Sequence, residues 1–436
     1  RVLTTRERGI SMGFLPLSER SFKVRVGKST RAFRYRNYRL YFMGQGVTLI
    51  GNWMQQLALG WLLLRLGGTA TSLGLLVALT QVPTIFLGPV AGVVADRYEK
   101  RALLRIIQIL AATHALTLAF LTLTGLIELW MLFTLALFMG LVNAFEMTTR
   151  QSFVVEMVDD KRDLPNAIAL NSLMFNSARA IGPAVGGQVV YFFGEGLCFL
   201  LNGIGYAASN FALRAMKLPV FQKVDTVQRN ISKEFIDGFR YIKETPALIY
   251  SFFMLTTISI FGAQQMVILP ILARDFLDGS SDTLGILMMA FGVGAIFAAL
   301  GIAIRSQVIG SEKVIFRGLL ITGISQILLT LYPSIGWAFL LNALSGYGAI
   351  SSIVSTNTVI QLLAAPTMRG RVVSFYSICL MGLGPCGGFF IGRLIDWQGI
   401  VLILPFLGGV CIIASLVYRY YAARVVHGSL SQLTTL

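Results

Sequence analysis

Apolar runs of about twenty residues recur along the chain, broken by short polar stretches. They fall at about 40–64, 72–95, 103–124, 129–149, 166–193 and 196–215, then at about 248–272, 283–304, 314–332, 336–360, 372–394 and 399–420. A helix rises about 1.5 Å per residue, so ~20 apolar residues cross the ~30 Å hydrocarbon layer of a bilayer. The pattern predicts an all-α membrane protein of twelve transmembrane helices. The long polar insertion at 216–246 breaks the series in the middle. Within it Phe235, Phe239 and Ile242 recur at helical spacing beside Lys233, Arg240 and Lys243. That spacing predicts an amphipathic helix lying on the membrane face and tethering two halves.

The halves repeat. Gln55-Gln56 with Arg65 nine residues on matches Gln264-Gln265 with Arg274 nine on. Leu73-Gly74 at the start of the second run matches Leu284-Gly285 at the start of the eighth. Ser172 followed by Gly182-Pro183 matches Ser374 followed by Gly384-Pro385 at the same spacing. The expected organisation is a basic tail at 1–37, a six-helix bundle at 38–215, the linker at 216–246, a second bundle at 247–421 and a short tail at 422–436. Two such bundles facing each other leave a central cavity near the membrane midplane.

Composition agrees with the bilayer as solvent: 55% of residues are hydrophobic, 13% are charged and the mean hydropathy is +0.72. The net charge of +16 is spread over the N-terminal tail and alternate loops, which argues against a nucleic-acid partner. One set of loops holds the Arg97 to Arg105 cluster, Arg150, Lys313, Arg317, Arg369 and Arg371. The opposite set holds Arg65, Arg274 and Arg393 among Glu128, Glu195, Asp275, Asp278, Asp282 and Asp396. The positive-inside rule places both termini in the cytoplasm, and Trp130, Trp337 and Trp397 each open a span on the outer side. The first residues lack the apolar core and cleavage site of a signal peptide, and Met12 is a candidate start. Cys198, Cys379, Cys386 and Cys411 lie inside apolar runs and read as packing residues, not metal ligands. No nucleotide-binding or hydrolase motif is present, so no enzymatic activity is expected.

Between the second and third runs stands Gly92-Val93-Val94-Ala95-Asp96-Arg97-Tyr98-Glu99-Lys100-Arg101. The fifth run carries Gly182-Pro183-Ala184-Val185-Gly186-Gly187, echoed by Gly384-Pro385-Cys386-Gly387-Gly388 in the eleventh. Proline frees a carbonyl from the helix ladder, and glycine admits a neighbouring backbone. The first motif resembles the loop signature of the major facilitator superfamily, and the second resembles the fifth-helix motif of its antiporter branch. With Asn166, Asn171-Ser172, Phe175 to Arg179 and Arg369-Gly370-Arg371, residues 32 to 420 resemble the exporter branch that includes macrolide efflux pumps and the enterobactin exporter. Glu99 departs from the usual Gly of the loop motif, and Thr149 from the small residue or Pro before Arg-Gln. The resemblance implies two pseudo-symmetric six-helix bundles in the cell (inner) membrane. It also implies a monomer with a small-molecule substrate and lipid contacts, using the proton gradient rather than a cofactor.

Candidate site residues follow. Arg179 lies mid-span, where a charge costs about 3 kcal/mol on insertion scales; it is either a cavity charge for substrate or coupling, or part of a structural ion pair or carbonyl clamp. Glu146 stands one turn before Arg150, which suits a salt bridge or a proton-coupling carboxylate, and His114 titrates near neutrality in principle. Asn52, Gln55, Gln56, Gln264 and Gln265 are amides that hydrogen-bond between helices or line the cavity. Gly92, Asp96, Arg97, Lys100 and Arg101 form the expected conformational latch. The expected function is export of a small amphipathic compound (drug, macrolide-like or siderophore) by alternating access, with proton antiport as the energy source. A lipid or lysolipid transporter, or an uptake carrier of the same fold, is the alternative.

Overall fold

The computed structural model describes residues 31–157, 160–216, 231–305, 310–422, 425, 426 and 428. The first half contains α1 (Arg36–Arg65), α2 (Ala70–Arg97), α3 (Lys100–Leu123), α4 (Leu129–Glu156), α5 (Leu164–Phe193) and α6 (Glu195–Ala215). The short helix α7 (Ile231–Glu244) follows. The second half contains α8 (Pro246–Thr257), α9 (Gln265–Ile271), α10 (Ser281–Ile304), α11 (Ser311–Leu329), α12 (Ile335–Leu363), α13 (Arg369–Ile378), α14 (Gly384–Gln398) and α15 (Ile400–Val417). Most of the expected basic tail, the linker stretch 217–230 and most of the C-terminal tail lie outside the described residues.

Among the described residues nine helical stretches are long and apolar enough to cross a membrane. The other three expected spans, α1, α5 and α11, form as helices but are more polar. Helix α1 carries Gln45, Thr48, Asn52, Gln55 and Gln56, and α5 carries Asn171, Ser172, Asn176, Ser177 and Arg179. Helix α11 has Glu312, Lys313 and Arg317 within 19 residues. All three pack into the bundles: α1 against α5 and α6, and α11 against α12 and α15. Their polar positions are oriented by neighbouring helices rather than by lipid.

The two halves use the same packing plan. Helix α2 packs on α4, and α3 packs on α4 and α6; in the second half α10 packs on α12, and α11 on α12 and α15. Across the molecule α5 packs on α10, and α14 packs on α2. A large apolar core at one end joins both halves, with Leu57, Leu62, Leu73, Leu269, Leu272 and Leu404 among its buried members. That end, opposite the N-terminal residues, is called the far end below; the other is the tail end.

The seventh and eleventh spans are interrupted where continuous helices were expected. In the seventh, a wide π-type turn at Ile258–Gly262 leads to non-helical backbone at Ala263 and Gln264 before α9. A second wide turn at Leu272–Phe276 follows it. In the eleventh, Cys379–Leu383 forms the same kind of turn immediately before Gly384-Pro385. Pro270 and Pro385 donate no backbone hydrogen bond, so each frees a carbonyl one turn earlier. Side chains of the seventh span take up carbonyls at these turns: Ser259 Oγ donates to Cys379 O at 3.0 Å, and Gln264 Nε2 donates to Ser259 O at 2.6 Å and Gly384 O at 2.9 Å.

Helix α7 docks on the second half. Its Ile242 is buried with Leu248 and Phe252, Phe235 meets the Phe375 ring at 4.6 Å, and Asp237 pairs with Arg371 at 3.3 Å. Phe235, Ile236 and Phe239 keep about half their surface exposed, as an interfacial amphipathic helix requires.

Candidate functional site

The far end is closed by glycines. A Cβ on Gly187 of α5 would lie 2.6 Å from Ser281 O and 2.9 Å from the Gly285 Cα of α10. The repeat-related contact joins α14 to α2: a Cβ on Gly74 would lie 2.6 Å from Gly388 O. Gly182 and Gly186 pack instead on α1, at Trp53 and Met54, and Gly384 and Gly387 pack on Ser259 and Ile260. In α5 the segment seats against its own half with Gly182 and Gly186 and against the opposite half with Gly187; in α14 Gly384, Gly387 and Gly388 all face their own half, and Phe389 and Gly392 meet the opposite one. The matched Leu-Gly pairs at 73–74 and 284–285 are the receiving surfaces.

Polar contacts reinforce this seam. Asp396, at the end of α14, accepts from the backbone N–H of Ala70 and of Thr71, each at 2.9 Å, and from the Thr71 hydroxyl. It caps the first turn of α2, where the helix dipole favours a carboxylate. Ser281 Oγ donates to Gly187 O at 3.2 Å, and Arg274 reaches Leu64 O at 3.5 Å. Arg65 pairs with Glu195 at 3.0 Å within the first half.

Toward the tail end the halves part. Ala180 of α5 touches Gly292 of α10 near the middle of both helices. Leu173 lies two turns before Ala180 on the same face, and Leu300 two turns after Gly292. They are 52% and 50% exposed, so the contact has opened by that level. The α2–α14 side behaves alike: Ile85 meets Gly382, whereas Val93, two turns on, is exposed.

Arg179 sits at the head of this opening, one residue before Ala180. Its guanidinium carbon is 5.3 Å from the Trp53 ring and 5.1 Å from the Phe175 ring. Those two rings meet edge-on at 6.1 Å. Nε is buried without a hydrogen-bond acceptor, while the residue as a whole is only partly buried. Among the described residues no carboxylate lies within salt-bridge distance of it. Each cation–π contact contributes about 0.5–2 kcal/mol, so two ring faces offset much of the ~3 kcal/mol insertion cost without an ion pair.

The other first-half candidates are engaged behind this point. Asn202 Nδ2 donates to Asn52 Oδ1 at 3.2 Å and to Gln55 Oε1 at 2.9 Å, and Tyr206 OH donates to Asn52 Oδ1 at 2.6 Å. Glu146 is buried and pairs with Arg150 at 3.4 Å, with Tyr41 and Tyr206 within electrostatic reach of both. His114 is buried between α3 and α4 and stacks on Phe138 at 6.2 Å. Gln56 is exposed. In the second half, Gln264 holds the break of the seventh span. Gln265 lines a small cavity of about 20 Å³ with Ser325, Gln326, Asn342 and Ser345. The Gln265 and Gln326 Oε1 atoms are both buried and unpaired, and ~10–15 Å³ of such volume holds one water.

Of the expected latch, Arg101 reaches across to Arg214 O at 2.8 Å, tying the loop to the end of α6. Arg97 is exposed and Lys100 is partnered. A Cβ on Gly92 would meet only Thr148 Cγ2, at 4.0 Å. The Asp96 side chain lies outside the described residues. Sequence reasoning missed Asp396, Asn202 and Tyr206. Asp396 carried a signal: an acid beside Trp397 at the end of a span, with Thr69-Ala70-Thr71 opening another at the same face.

Residues 29–431 match the family described as transmembrane secretion effector. The Staphyloferrin A transporter of Staphylococcus aureus is 26% identical over 87% of this chain and 95% of its own length. The multidrug efflux pump Tap of Mycolicibacterium fortuitum is 24% identical over 82% of this chain and 87% of its own. Among solved structures, a POT family transporter in complex with 5-aminolevulinic acid superimposes with a TM-score of 0.70 at 14% identity, covering 90% of this chain and 97% of that one. A fold of two six-helix halves, closed by matched glycine seams and matched by the family over nearly its whole length, makes this chain a member of the transmembrane secretion effector family of the major facilitator superfamily.

Proposed function

We propose that the chain is a secondary active transporter that exports a small amphipathic compound in exchange for protons. The observation that carries the reading is the asymmetric opening: glycine-tight contact from the far end to the midplane, and parted helices from there to the tail end. Alternating access needs such a seam, since rocking the halves about the midplane closes one end while opening the other. The relatives, one named for a siderophore and one for multidrug efflux, support a small-molecule cargo moved outward. The basic loops support a cytoplasmic tail end, so that the cleft receives cargo from the cytoplasm.

Release on the other side requires Asp396 to leave the α2 terminus and Gly187 and Gly74 to leave their partners. One proton moving down 100 mV supplies about 2.3 kcal/mol, which sustains roughly a fifty-fold gradient in one-to-one exchange. The buried Glu146–Arg150 pair, beside Tyr41 and Tyr206, is the proposed proton-handling site. Deprotonated Glu146 keeps Arg150; protonated Glu146 releases it. Everted vesicles with a pH-sensitive dye test the reading. Addition of a transported compound should dissipate an imposed proton gradient, and Glu146→Gln should abolish the response. A compound that is exported by cells yet leaves the gradient untouched would refute antiport.

A further inference from the structure

We infer that the exported compound carries an acidic group, and that Arg179 is the point that recognises it. The inference rests on the export reading above and deepens it by naming the charge class of the cargo. Arg179 is a permanent cation near the midplane, flanked by two aromatic faces, with a buried Nε that has no acceptor. Its neighbourhood leaves it unbalanced. The buried carboxylates of the same half, Glu146, Asp163 and Glu195, pair with Arg150, Arg31 and Arg65, and no described carboxylate pairs with Arg179.

The repeat argues that the fold does not need this charge. Three residues before Gly182-Pro183 stands Arg179, and three before Gly384-Pro385 stands Met381. Two residues before Gln55 stands Trp53, and two before Gln264 stands Gly262. Seven before Gly182 stands Phe175, and seven before Gly384 stands Ser377. All three members of the cation–aromatic cluster are thus replaced together in the second half, which folds without it. A residue set that appears on one side only, at the head of the cleft and one position from the α5–α10 contact, is placed to meet cargo.

The chemistry then selects the cargo. The negative ring faces are already directed at the guanidinium, so an approaching cation meets like charge with its best partners taken. A planar acid meets a guanidinium fork suited to two-point hydrogen bonding. Its apolar body lies against the outer surfaces of Trp53 and Phe175. The cargo is therefore an amphipathic acid, and a lipophilic cation is disfavoured.

The test uses the full-length protein in nanodiscs of zwitterionic lipid, with empty nanodiscs as the blank. Two probes of matched body and opposite charge, pyrenebutyrate and pyrenebutylammonium, are titrated while tryptophan emission is followed by energy transfer. Wild-type protein should bind the acid roughly tenfold more tightly than the ammonium, the scale of one charge-assisted contact. Arg179→Gln should erase the preference, Arg179→Lys should keep part of it, and Phe175→Leu should weaken both probes alike. Equal binding of the two probes by wild-type protein overturns the inference, whatever the variants do; so does a preference unchanged in Arg179→Gln. A merely structural role for Arg179 would alter stability without altering charge preference. Proton-driven export of a lipophilic cation by the same preparation in vesicles would leave the export reading standing while this inference fell. Acid-selective binding without proton-coupled transport would do the reverse.

Discussion

The first half of this molecule is built from unbroken helices around buried side-chain polarity, whereas the second half breaks two of its helices and satisfies them with side chains. In the first, Asn52, Gln55, Asn202 and Tyr206 bond to one another, and Gln55 lies in continuous α1. In the second, the register partner Gln264 sits on non-helical backbone and donates to two main-chain carbonyls. Five residues before these glutamines stand Ile50 and Ser259. Only Ser259 has a hydroxyl to donate to the carbonyl of Cys379. A duplicated sequence has thus diverged into a platform that holds charge and a partner whose spans contain joints. Wide turns of this kind frequently mark functional sites in helices, and here they occur in the half that carries no midplane cation.

The largest effect is expected at the seam the halves share. Gly187→Leu puts a side chain where Ser281 O and the Gly285 Cα stand under 3 Å from a Cβ, and should abolish transport while leaving the protein inserted. Gly409→Leu, with nothing near its Cβ, should transport normally and serves as the control. A retained activity in Gly187→Leu, measured by substrate accumulation, would show that the α5–α10 contact is dispensable.

The next effects separate the halves. Gln264→Leu strands two carbonyls and should lower stability by about 2–4 kcal/mol, since each unsatisfied buried group costs ~1–3 kcal/mol. Gln55→Leu removes one acceptor for Asn202, which keeps Asn52, and should cost about 1 kcal/mol. The contrast between the halves is wrong if thermal unfolding in detergent ranks the two variants in the opposite order. The smallest effect belongs to the partly exposed Asp237–Arg371 pair: Asp237→Asn should shift stability by less than about 1 kcal/mol. A larger loss would mean that α7 is held by charge rather than by Phe235, Phe375 and Ile242.

Much of the architecture was legible because hydropathy and repeat spacing report it directly. The matched Leu-Gly and Gly-Pro pairs proved to be the two sides of one contact, although spacing alone could not say that they meet. The joints were not legible, because Pro270, Gly262 and Pro385 are compatible with straight spans until a side chain on another helix supplies a donor. The site was only partly legible. Arg179 was visible as a misplaced charge in an apolar run, but its aromatic neighbours come from a helix more than a hundred residues earlier in the chain and from one turn back. Asp396 stood among other acidic loop residues, and its signal was split between two distant places in the chain, the acid beside Trp397 and the Thr69-Ala70-Thr71 opening of another span.

Alternating access is tested most directly by the accessibility of the closed end during transport. A cysteine at Ala70, which is fully buried against Asp396 and Gly392, is introduced after replacement of Cys198, Cys379, Cys386 and Cys411. An impermeant maleimide is then applied to the outer face of intact cells. Labelling should be slow at rest and accelerate roughly tenfold when a proton gradient and an exported compound are both present, as the far end shifts between closed and open populations. Labelling that stays slow while export continues would contradict a seam that opens in every cycle.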